Sequence, residues 1–373
     1  MIGGGEGAFI GTVHRMAAEL DGEIELVCGA FSSDPERSKR SGQSIYRLPA
    51  ERCYPDYQTM FRGEAELSPE ERMDFVTIAT PNHVHFDAAR AAIEAGFHVV
   101  CDKPVTHTLA DAEALQLLLA GSDRLFCLTH NYTGYPMIRE ARTLIAAGTL
   151  GAVRRADCEY LQGWLATAEE ETGNKQAEWR TDPARSGAAG CFGDIGSHAQ
   201  NLLEFVTGQT ISSLCADLNA WVDGRALDDD GNVLIRLSGG ARGVISASQV
   251  AVGEENGLRL RVYGEKGGLA WSQMEPNSLT LTWPDRSVET RRTGGPSASD
   301  AAARVTRLPA GHPEGYLEAF AVLYRDFARA VLSREAGEQS EPDVPGIAEG
   351  VRGMRFIEGV VASSAAGATW LEI

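Results

Sequence analysis

In Asp74-Phe75-Val76-Thr77-Ile78-Ala79-Thr80-Pro81-Asn82, a run rich in β-branched and apolar residues is stopped by proline and asparagine. The composition predicts a buried β-strand that ends at Thr80. Similar runs occupy residues 25–31, 96–101 and 125–129, and helical patterns fill residues 86–95 and 109–120. Continuous apolar strands that alternate with helices predict an α/β fold with a Rossmann-type parallel sheet. A ligand of such a sheet binds beyond the carboxyl ends of its strands.

The pattern changes after about Gly151. Half-buried strands are predicted at residues 153–164, 211–222, 232–237, 241–250, 258–263 and 279–283, a loop at 293–303, and helices at 316–332 and 347–364. This order indicates a C-terminal α+β domain with an open, mainly antiparallel sheet. We assign residues 1–130 to a dinucleotide-binding domain and 131–345 to a substrate-binding and oligomerisation domain. Residues 346–373 are predicted to form a helix and tail that pack back on the first domain.

Composition limits the classes of partner. The chain has 373 residues, and its formal net charge of −18 argues against nucleic acid as a ligand and favours a cytoplasmic protein. Seven scattered cysteines without a C-x-x-C pair indicate neither a zinc site nor a redox dithiol, so no metal is expected. No apolar stretch reaches membrane-spanning length.

A glycine-rich loop at residues 3–11 gives backbone amides room to approach a pyrophosphate at a helix N-terminus. Gly3 and Gly5 fit the first two positions of G-x-G-x-x-G, whereas Gly11 comes three residues late; an ordinary glycine-rich turn is the alternative. Because only Met1 and Ile2 precede the loop, we expect the first strand to be truncated and the natural start to lie upstream.

The cofactor preference depends on the end of the second strand. Ser32 stands where NAD-specific folds carry an acid, and Arg37 follows five residues later. This pair favours NADP over NAD. The alternative is that Asp34 binds the ribose and Arg37 faces solvent.

Two motifs carry groups that can move protons. Asp102-Lys103-Pro104 places a lysine at a strand end, and Gly193-Asp194-Ile195-Gly196-Ser197-His198 spaces an acid and a histidine four residues apart. On a helix this spacing puts both side chains on one face. Alternatively, Asp194 is a helix N-cap, and Lys103 and His198 are surface residues.

The order of Gly11-Thr12-Val13-His14, Ile78-Ala79-Thr80-Pro81-Asn82-His83-Val84-His85 and these two motifs resembles the Gfo/Idh/MocA oxidoreductases, which include inositol dehydrogenases and glucose–fructose oxidoreductase. Asp102 replaces the glutamate that usually precedes Lys-Pro in that family. The resemblance implies that Lys103 binds the reacting hydroxyl and that His198 is the principal acid/base. Asp194 would orient His198 or bind the adjacent hydroxyl.

The expected site has two sets of residues. The cofactor-binding residues are Gly3, Gly5, Ala8, Phe9, Ile10, Ser32, Arg37, Thr80, Pro81, Asn82, His85, Asp102 and Lys103. The substrate-binding residues are Lys103, Asn131, Tyr160, Trp164, Arg180, Asp194 and His198, of which Lys103, Asp194 and His198 are catalytic.

These residues predict an NAD(P)-dependent dehydrogenase of a sugar, inositol or related polyol. A redox-assisted glycosidase with tightly bound NAD would use the same residues, and a non-catalytic dinucleotide-binding regulator is the other alternative. We also expect a homodimer or homotetramer, because the open sheet face should carry Val244, Leu260, Val262 or their neighbours as an apolar patch.

Overall fold

The computed structural model describes residues 1–338 and 341–373, which form two compact units. The first comprises residues 1–129 and 320–351, and the second comprises residues 130–319 and 352–373. Residues 320–345 therefore group with the first unit, whereas the sequence interpretation assigned them to the second domain.

The first unit begins with a βα alternation. Its elements are β1 (Ile2–Gly3), α1 (Ile10–Glu19), α2 (Pro35–Ser44), α3 (Tyr57–Ala65), β2 (Phe75–Ala79), α4 (His85–Glu94), β3 (His98–Cys101), α5 (Leu109–Ala120) and β4 (Phe126–Leu128). Within the described residues, the four strands form one parallel sheet in the order β1-β2-β3-β4. The predicted Rossmann-type sheet is confirmed.

The strand predicted at residues 25–31 does not form a ladder. Only isolated bridges occur there, from Gly29 to Cys53 and from Ala30 to Ile2. Because β1 offers only two residues, the backbone of residues 25–28 runs beside a cavity of about 310 Å³ that Asp74 and Phe75 also line. The Met1 amino group donates to the Cys28 carbonyl at 2.8 Å, and burial lowers its pKa.

The sheet and its helices enclose an apolar core. Ile78, Val99 and Leu115 are fully buried, and shortening such a side chain to alanine typically costs about 2–5 kcal/mol. Helix α5 starts where the sequence predicts, because the Thr108 hydroxyl accepts the Asp111 N–H and caps the first turn.

The second unit is built on a larger sheet. The remaining elements of the chain are α6 (Pro136–Ala146), β5 (Val153–Leu161), α7 (Lys175–Arg180), α8 (Pro183–Ser186), α9 (Ser197–Thr207), β6 (Ile211–Asn219), β7 (Asp230–Leu237), β8 (Arg242–Ser248), β9 (Gly257–Gly264), β10 (Gly268–Ser272), β11 (Ser278–Thr282), β12 (Glu289–Arg292), α10 (Asp300–Val305), α11 (Tyr316–Glu335), α12 (Ile347–Ala365) and β13 (Leu371–Glu372). Helices α11 and α12 contribute residues to both units. No helix of the described chain is long and apolar enough to cross a membrane.

The sheet order is β12-β11-β10-β9-β5-β8-β7-β6-β13 over the described residues. All neighbouring strands are antiparallel except β5 and β8, so the predicted mainly antiparallel sheet is confirmed. The sequence interpretation missed β10, β12 and β13. Helix α10 also lies partly in the region predicted as a loop, because the Ser299 hydroxyl caps it by accepting the Ala302 N–H.

The two faces of this sheet differ from the prediction in one respect. Leu260 and Val262 are fully buried on the face that α9 covers, so the expectation that they form an open apolar patch is wrong. Side chains alternate along a strand, and the opposite face carries Arg259 and Arg261, which both pair with Glu159. Val244, on β8, is partly exposed.

Candidate active site

The glycine loop of the first unit is shaped by contacts that leave no room for side chains. A Cβ atom on Gly3 would lie 2.3 Å from the Ala79 carbonyl oxygen, and one on Gly5 would lie 2.4 Å from that of Phe31. Gly11, in α1, would place a Cβ atom 2.3 Å from Gly4 Cα. Gly11 thus provides the close packing expected of the third fingerprint glycine, despite its later position.

The rest of the loop also fits a dinucleotide pyrophosphate. Helix α1 has neither a side-chain cap nor an acidic residue in its first turn, which suits an anion at its N-terminus. Ala8 donates its N–H to the Gly5 carbonyl at 2.9 Å, Phe9 is 66% exposed and Ile10 begins the helix. The Tyr46 hydroxyl holds the loop by donating to the Gly4 carbonyl at 2.5 Å. Burial raises the pKa of Tyr46 to about 12.

The turn after β2 contains one buried polar atom without a partner and is followed by a histidine that contacts two backbone carbonyl groups. Thr80 Oγ1 is buried and has no hydrogen-bond partner in the described structure, whereas Pro81 and Asn82 start a short helical turn. The fully buried ring of His85 places Nδ1 2.8 Å from the Pro104 carbonyl and Nε2 2.9 Å from that of Thr80. Both ring nitrogens of His85 are therefore engaged with backbone carbonyl groups of the two turns.

Asp102 and Lys103 follow β3 directly. Asp102 accepts the Lys103 N–H at 2.8 Å and the Thr129 hydroxyl at 3.0 Å, and it lies 3.7 Å from His14 Nε2. Burial raises the pKa of the Asp102 carboxyl, but the contact with His14 and the charge of Lys103 outweigh it and hold the pKa well below its usual range. Asp102 is thus an anion beside the predicted catalytic lysine.

His14 is itself fixed by a long-range contact. Its Nδ1 lies 2.6 Å from the Tyr324 hydroxyl, which lies 3.1 Å from the Thr77 hydroxyl. His14 in α1 and Tyr324 in α11 are thus connected to Asp102, so a change at Tyr324 should reach Lys103 through three contacts, Tyr324–His14, His14–Asp102 and Asp102–Lys103.

The residues that follow the segment 25–31 are arranged by a helix cap. Asp34 caps α2, and its carboxylate accepts the Arg37 N–H at 2.6 Å. The Ser32 hydroxyl accepts the Asp34 N–H at 3.1 Å, and the Arg37 residue is exposed. One carboxylate oxygen of Asp34 is therefore engaged in capping α2.

In the second unit, His198 lies near the start of α9 among aromatic side chains. Its ring centroid is 4.9 Å from that of Tyr132 and 6.1 Å from that of Tyr160. His198 Nδ1 lies 3.4 Å from His130 Nδ1. The principal predicted acid/base thus occupies a largely buried environment, with the His130 ring nitrogen among its polar neighbours.

Asp194 is held one turn before His198. Its Oδ2 accepts bonds from Arg180 Nε at 3.1 Å and from Gln249 Nε2 at 2.9 Å. The Arg180 guanidinium also lies over the Trp179 ring, 4.3 Å from its centroid. These bonds fix the carboxylate in one orientation.

The segment that carries Asp194 is a π-helical turn, Phe192–Gly196, in which the Ser197 N–H reaches the Phe192 carbonyl. Such turns inside helices often occur at functional sites. The Asp228 carboxylate anchors the start of this segment by accepting the N–H groups of Gly190 at 2.7 Å and of Phe192 at 2.8 Å. The segment therefore differs from the regular helix that the spacing predicts, because Asp194 lies in a widened turn and His198 lies in α9 after it.

The other predicted substrate residues belong to a polar network at the end of β5. Tyr160 donates to Asn256 Oδ1 at 2.6 Å, and Trp164 donates to Gln162 Oε1 at 3.0 Å. Gln162 Nε2 in turn donates to Asn256 Oδ1 at 2.8 Å. Asn131 Nδ2 is buried without a hydrogen-bond partner in the described structure, and such an amide can donate to a ligand hydroxyl.

Several residues of these networks escaped the sequence interpretation as site residues. Gln249 and Asn256 lie in the segment that follows β8, and this position after a strand end is a signal that could have found them. His14 and Tyr324 lie in helices and have no such signal.

Family models match both parts of the chain. Residues 1–130 match an oxidoreductase family with an NAD-binding Rossmann fold, and residues 138–270 match the GFO/IDH/MocA C-terminal domain. The chain belongs to the Gfo/Idh/MocA family. It is thus an oxidoreductase with an NAD(P)-binding Rossmann domain.

Similar proteins extend over the whole chain. An uncharacterised oxidoreductase of Bacillus subtilis, YfiI, is 34% identical over 100% of this chain and 95% of its own length. A crystal structure of an oxidoreductase from Sinorhizobium meliloti is 45% identical, with a TM-score of 0.89 over 100% of this chain and 98% of that one. An inositol dehydrogenase homolog from Azotobacter vinelandii, complexed with NAD⁺, is 36% identical, with a TM-score of 0.95 over 100% and 96% of the two chains.

Proposed function

We propose that this Gfo/Idh/MocA protein is an NAD(P)-dependent dehydrogenase that acts on a secondary alcohol of a sugar, an inositol or a related polyol. The observation that supports it best is the pairing, in the second unit, of an anchored Asp194 with a largely buried His198 beside two tyrosines. Aromatic rings with fixed donors and acceptors suit a ring that has C–H faces and several hydroxyls. A relative from Azotobacter vinelandii has been solved with NADH and myo-inositol.

The roles follow from the chemistry of the side chains. A dinucleotide held by the glycine loop would supply the hydride acceptor for oxidation of the alcohol, or the hydride donor for the reverse reaction. His198 has the role of the acid/base that takes the hydroxyl proton, and Lys103 has the role of a hydrogen-bond donor to the substrate. Asp194 accepts a hydrogen bond from the adjacent hydroxyl, because Arg180 and Gln249 already fix its orientation.

NADP(H) is proposed as the preferred dinucleotide. Ser32 brings no carboxylate to repel a 2′-phosphate, and Arg37 offers a guanidinium that can pair with it. The capping role of Asp34 supports this choice, because its carboxylate is already bonded to the Arg37 N–H.

A homodimer or homotetramer is also proposed. The open face of the large sheet exposes Leu234 by 49% and part of Val244, and a second copy would cover both. A monomer in light scattering at micromolar concentration would contradict this. The acidic charge balance of the sequence supports a cytoplasmic location.

The test is turnover of a panel of sugars and inositols, followed by nicotinamide absorbance with NAD(P)⁺. Lys103→Ala and His198→Ala should each lower kcat by about 10²–10⁴-fold while the dinucleotide Kd stays nearly unchanged. Lys103→Arg should not restore activity, because arginine stays protonated and is bulkier.

Other outcomes separate the alternatives. Release of an aglycone without net nicotinamide reduction would identify a redox-assisted glycosidase. Dinucleotide binding without turnover of any alcohol or glycoside would instead favour a regulator, and near-normal kcat in His198→Ala would remove this histidine from the mechanism.

A further inference from the structure

Two histidines from distant parts of the sequence of the second unit contact each other through their Nδ1 atoms. His130 Nδ1 and His198 Nδ1 lie 3.4 Å apart, their ring centroids are 5.2 Å apart, and the ring planes are inclined by 84°. His130 is 3% exposed and His198 is 9% exposed. Two lone pairs or two protons at this contact would repel each other, so one Nδ1 carries a proton and the other accepts it.

The turn that carries His130 is held by several contacts of its backbone. The His130 carbonyl accepts the Thr133 N–H at 3.1 Å and the Thr133 hydroxyl at 2.8 Å. Arg139 Nε donates to the Thr133 carbonyl at 2.8 Å. A Cβ atom on Gly134 would lie 2.0 Å from the Ala319 carbonyl oxygen, so this turn packs directly against backbone. The turn thus presents His130 in a fixed position.

The aromatic neighbours of His198 have hydrogen-bonding partners of their own. The Tyr132 and Tyr160 hydroxyls lie 2.5 Å apart, and both bond to Asn256, at 3.3 Å and 2.6 Å. The tyrosines therefore limit the motion of the His198 ring, whereas His130 is the neighbour whose nitrogen faces its Nδ1.

We propose that His130 is a positioning residue that sets the tautomer of His198. This inference rests on the proposed function, in which His198 takes the substrate proton. In the resting pair, His198 Nδ1–H donates to His130 Nδ1, which leaves His198 Nε2 with the lone pair that a base needs. His130 is then the neutral tautomer with its proton on Nε2.

The contact between His198 and His130 also provides an acceptor for a proton during the reaction. As the hydroxyl proton reaches His198 Nε2, the Nδ1 proton of His198 passes to His130 Nδ1. The pair gains one proton in total, His198 remains neutral, and His130 becomes the imidazolium. In the reducing direction both transfers are reversed, and His198 Nε2 returns its proton to the oxygen.

The test combines kinetics with ¹⁵N NMR of the full chain labelled at histidine, with the His198 ring signals assigned through His198→Asn. In the wild type, the ring nitrogens of His198 should show the Nδ1–H tautomer. In His130→Phe they should shift towards the Nε2–H tautomer that free imidazole prefers, and kcat should fall by about tenfold or more while KM and the dinucleotide Kd change little. His130→Asn, which keeps an acceptor near Nδ1, should restore the tautomer and part of kcat.

His312 is the matched control, because it is an exposed histidine whose Nδ1 lies 3.1 Å from the Pro309 carbonyl. His312→Phe should leave both readouts unchanged. An Nε2–H tautomer of His198 in the wild type would overturn the inference, as would an unchanged kcat in His130→Phe. The NMR result on the wild type decides the matter even if His130→Phe fails to fold. The NMR measurement needs no substrate. If the proposal about the substrate were wrong and the inference about His130 right, the wild type would show the Nδ1–H tautomer of His198 without turnover.

Discussion

His98 should make the first unit sensitive to mild acid. Its ring is 3% exposed at the start of β3, and its Nδ1 accepts the Leu125 N–H at 2.8 Å. Burial lowers the pKa of His98 to about 4, and the charges of Arg124 and Arg334 add to the effect. Protonation would both bury a charge and break the bond from Leu125.

The size of the effect follows from linkage. A histidine of the unfolded chain titrates near 6.5, so between about pH 6.5 and 4 the unfolded state binds a proton that the folded state does not. The free energy of unfolding therefore falls as the pH falls through this window. The difference between the unfolded and folded pKa values corresponds to a loss of about 3 kcal/mol in the free energy of unfolding. We expect a loss of about 2 kcal/mol, because solvent screening reduces the effect.

His98→Asn is the informative variant, because an asparagine oxygen can accept the Leu125 N–H without titrating. His312→Asn is the control, since His312 is exposed. All six tryptophans lie in the second unit, so tryptophan fluorescence would not report on the first. Unfolding of the first unit is therefore followed by peptide-resolved hydrogen exchange across residues 96–129, in increasing urea at pH 7.5 and 4.5. The pH dependence should flatten in His98→Asn alone.

NMR titration of the wild-type His98 ring gives an independent check. A pKa near 6.5 in the folded protein would refute the reasoning, because burial would then not be the controlling effect. Equal loss of stability at pH 4.5 in the wild type and in His98→Asn would show that other groups govern acid unfolding.

Three further results are expected. Arg37→Ala should weaken the binding of NADP(H) relative to that of NAD(H) by about 1.5–3 kcal/mol in fluorescence titrations. Lys39→Ala, which changes another exposed residue of α2, should not have this effect. Equal affinities of the wild type for the two dinucleotides would contradict the prediction. Asp194→Asn should retain more kcat than Asp194→Ala, since the amide oxygen can still accept bonds from its two anchors; equal losses would point to charge instead. Gly196→Ala should lower the melting temperature and kcat, because its Cβ would lie 2.6 Å from the Phe192 ring, whereas Gly193→Ala should be tolerated, with no neighbour closer than 3.7 Å.

Local sequence patterns were sufficient for much of this protein. β-Branched runs that end in turn residues located three strands of the parallel sheet, and alternation located six strands of the larger one, because both signals depend only on neighbours along the chain. The four-residue spacing of Asp194 and His198 predicted that both side chains share one face of a helix, whereas Asp194 lies in a π-helical turn and His198 lies in the helix that follows. The strand predicted at residues 25–31 failed for a nonlocal reason, since a ladder needs a partner and β1 provides only two residues.

The partners of these residues were decided by the tertiary structure alone. Asp194 meets Gln249 across 55 residues, His198 meets His130 across 68, and His14 meets Tyr324 across 310. Such pairs depend on strand register and helix packing, and a shift of one residue in a strand would turn each side chain to the other face. The sequence therefore supplied the candidate groups for proton transfer, and the fold determined which neighbours orient them.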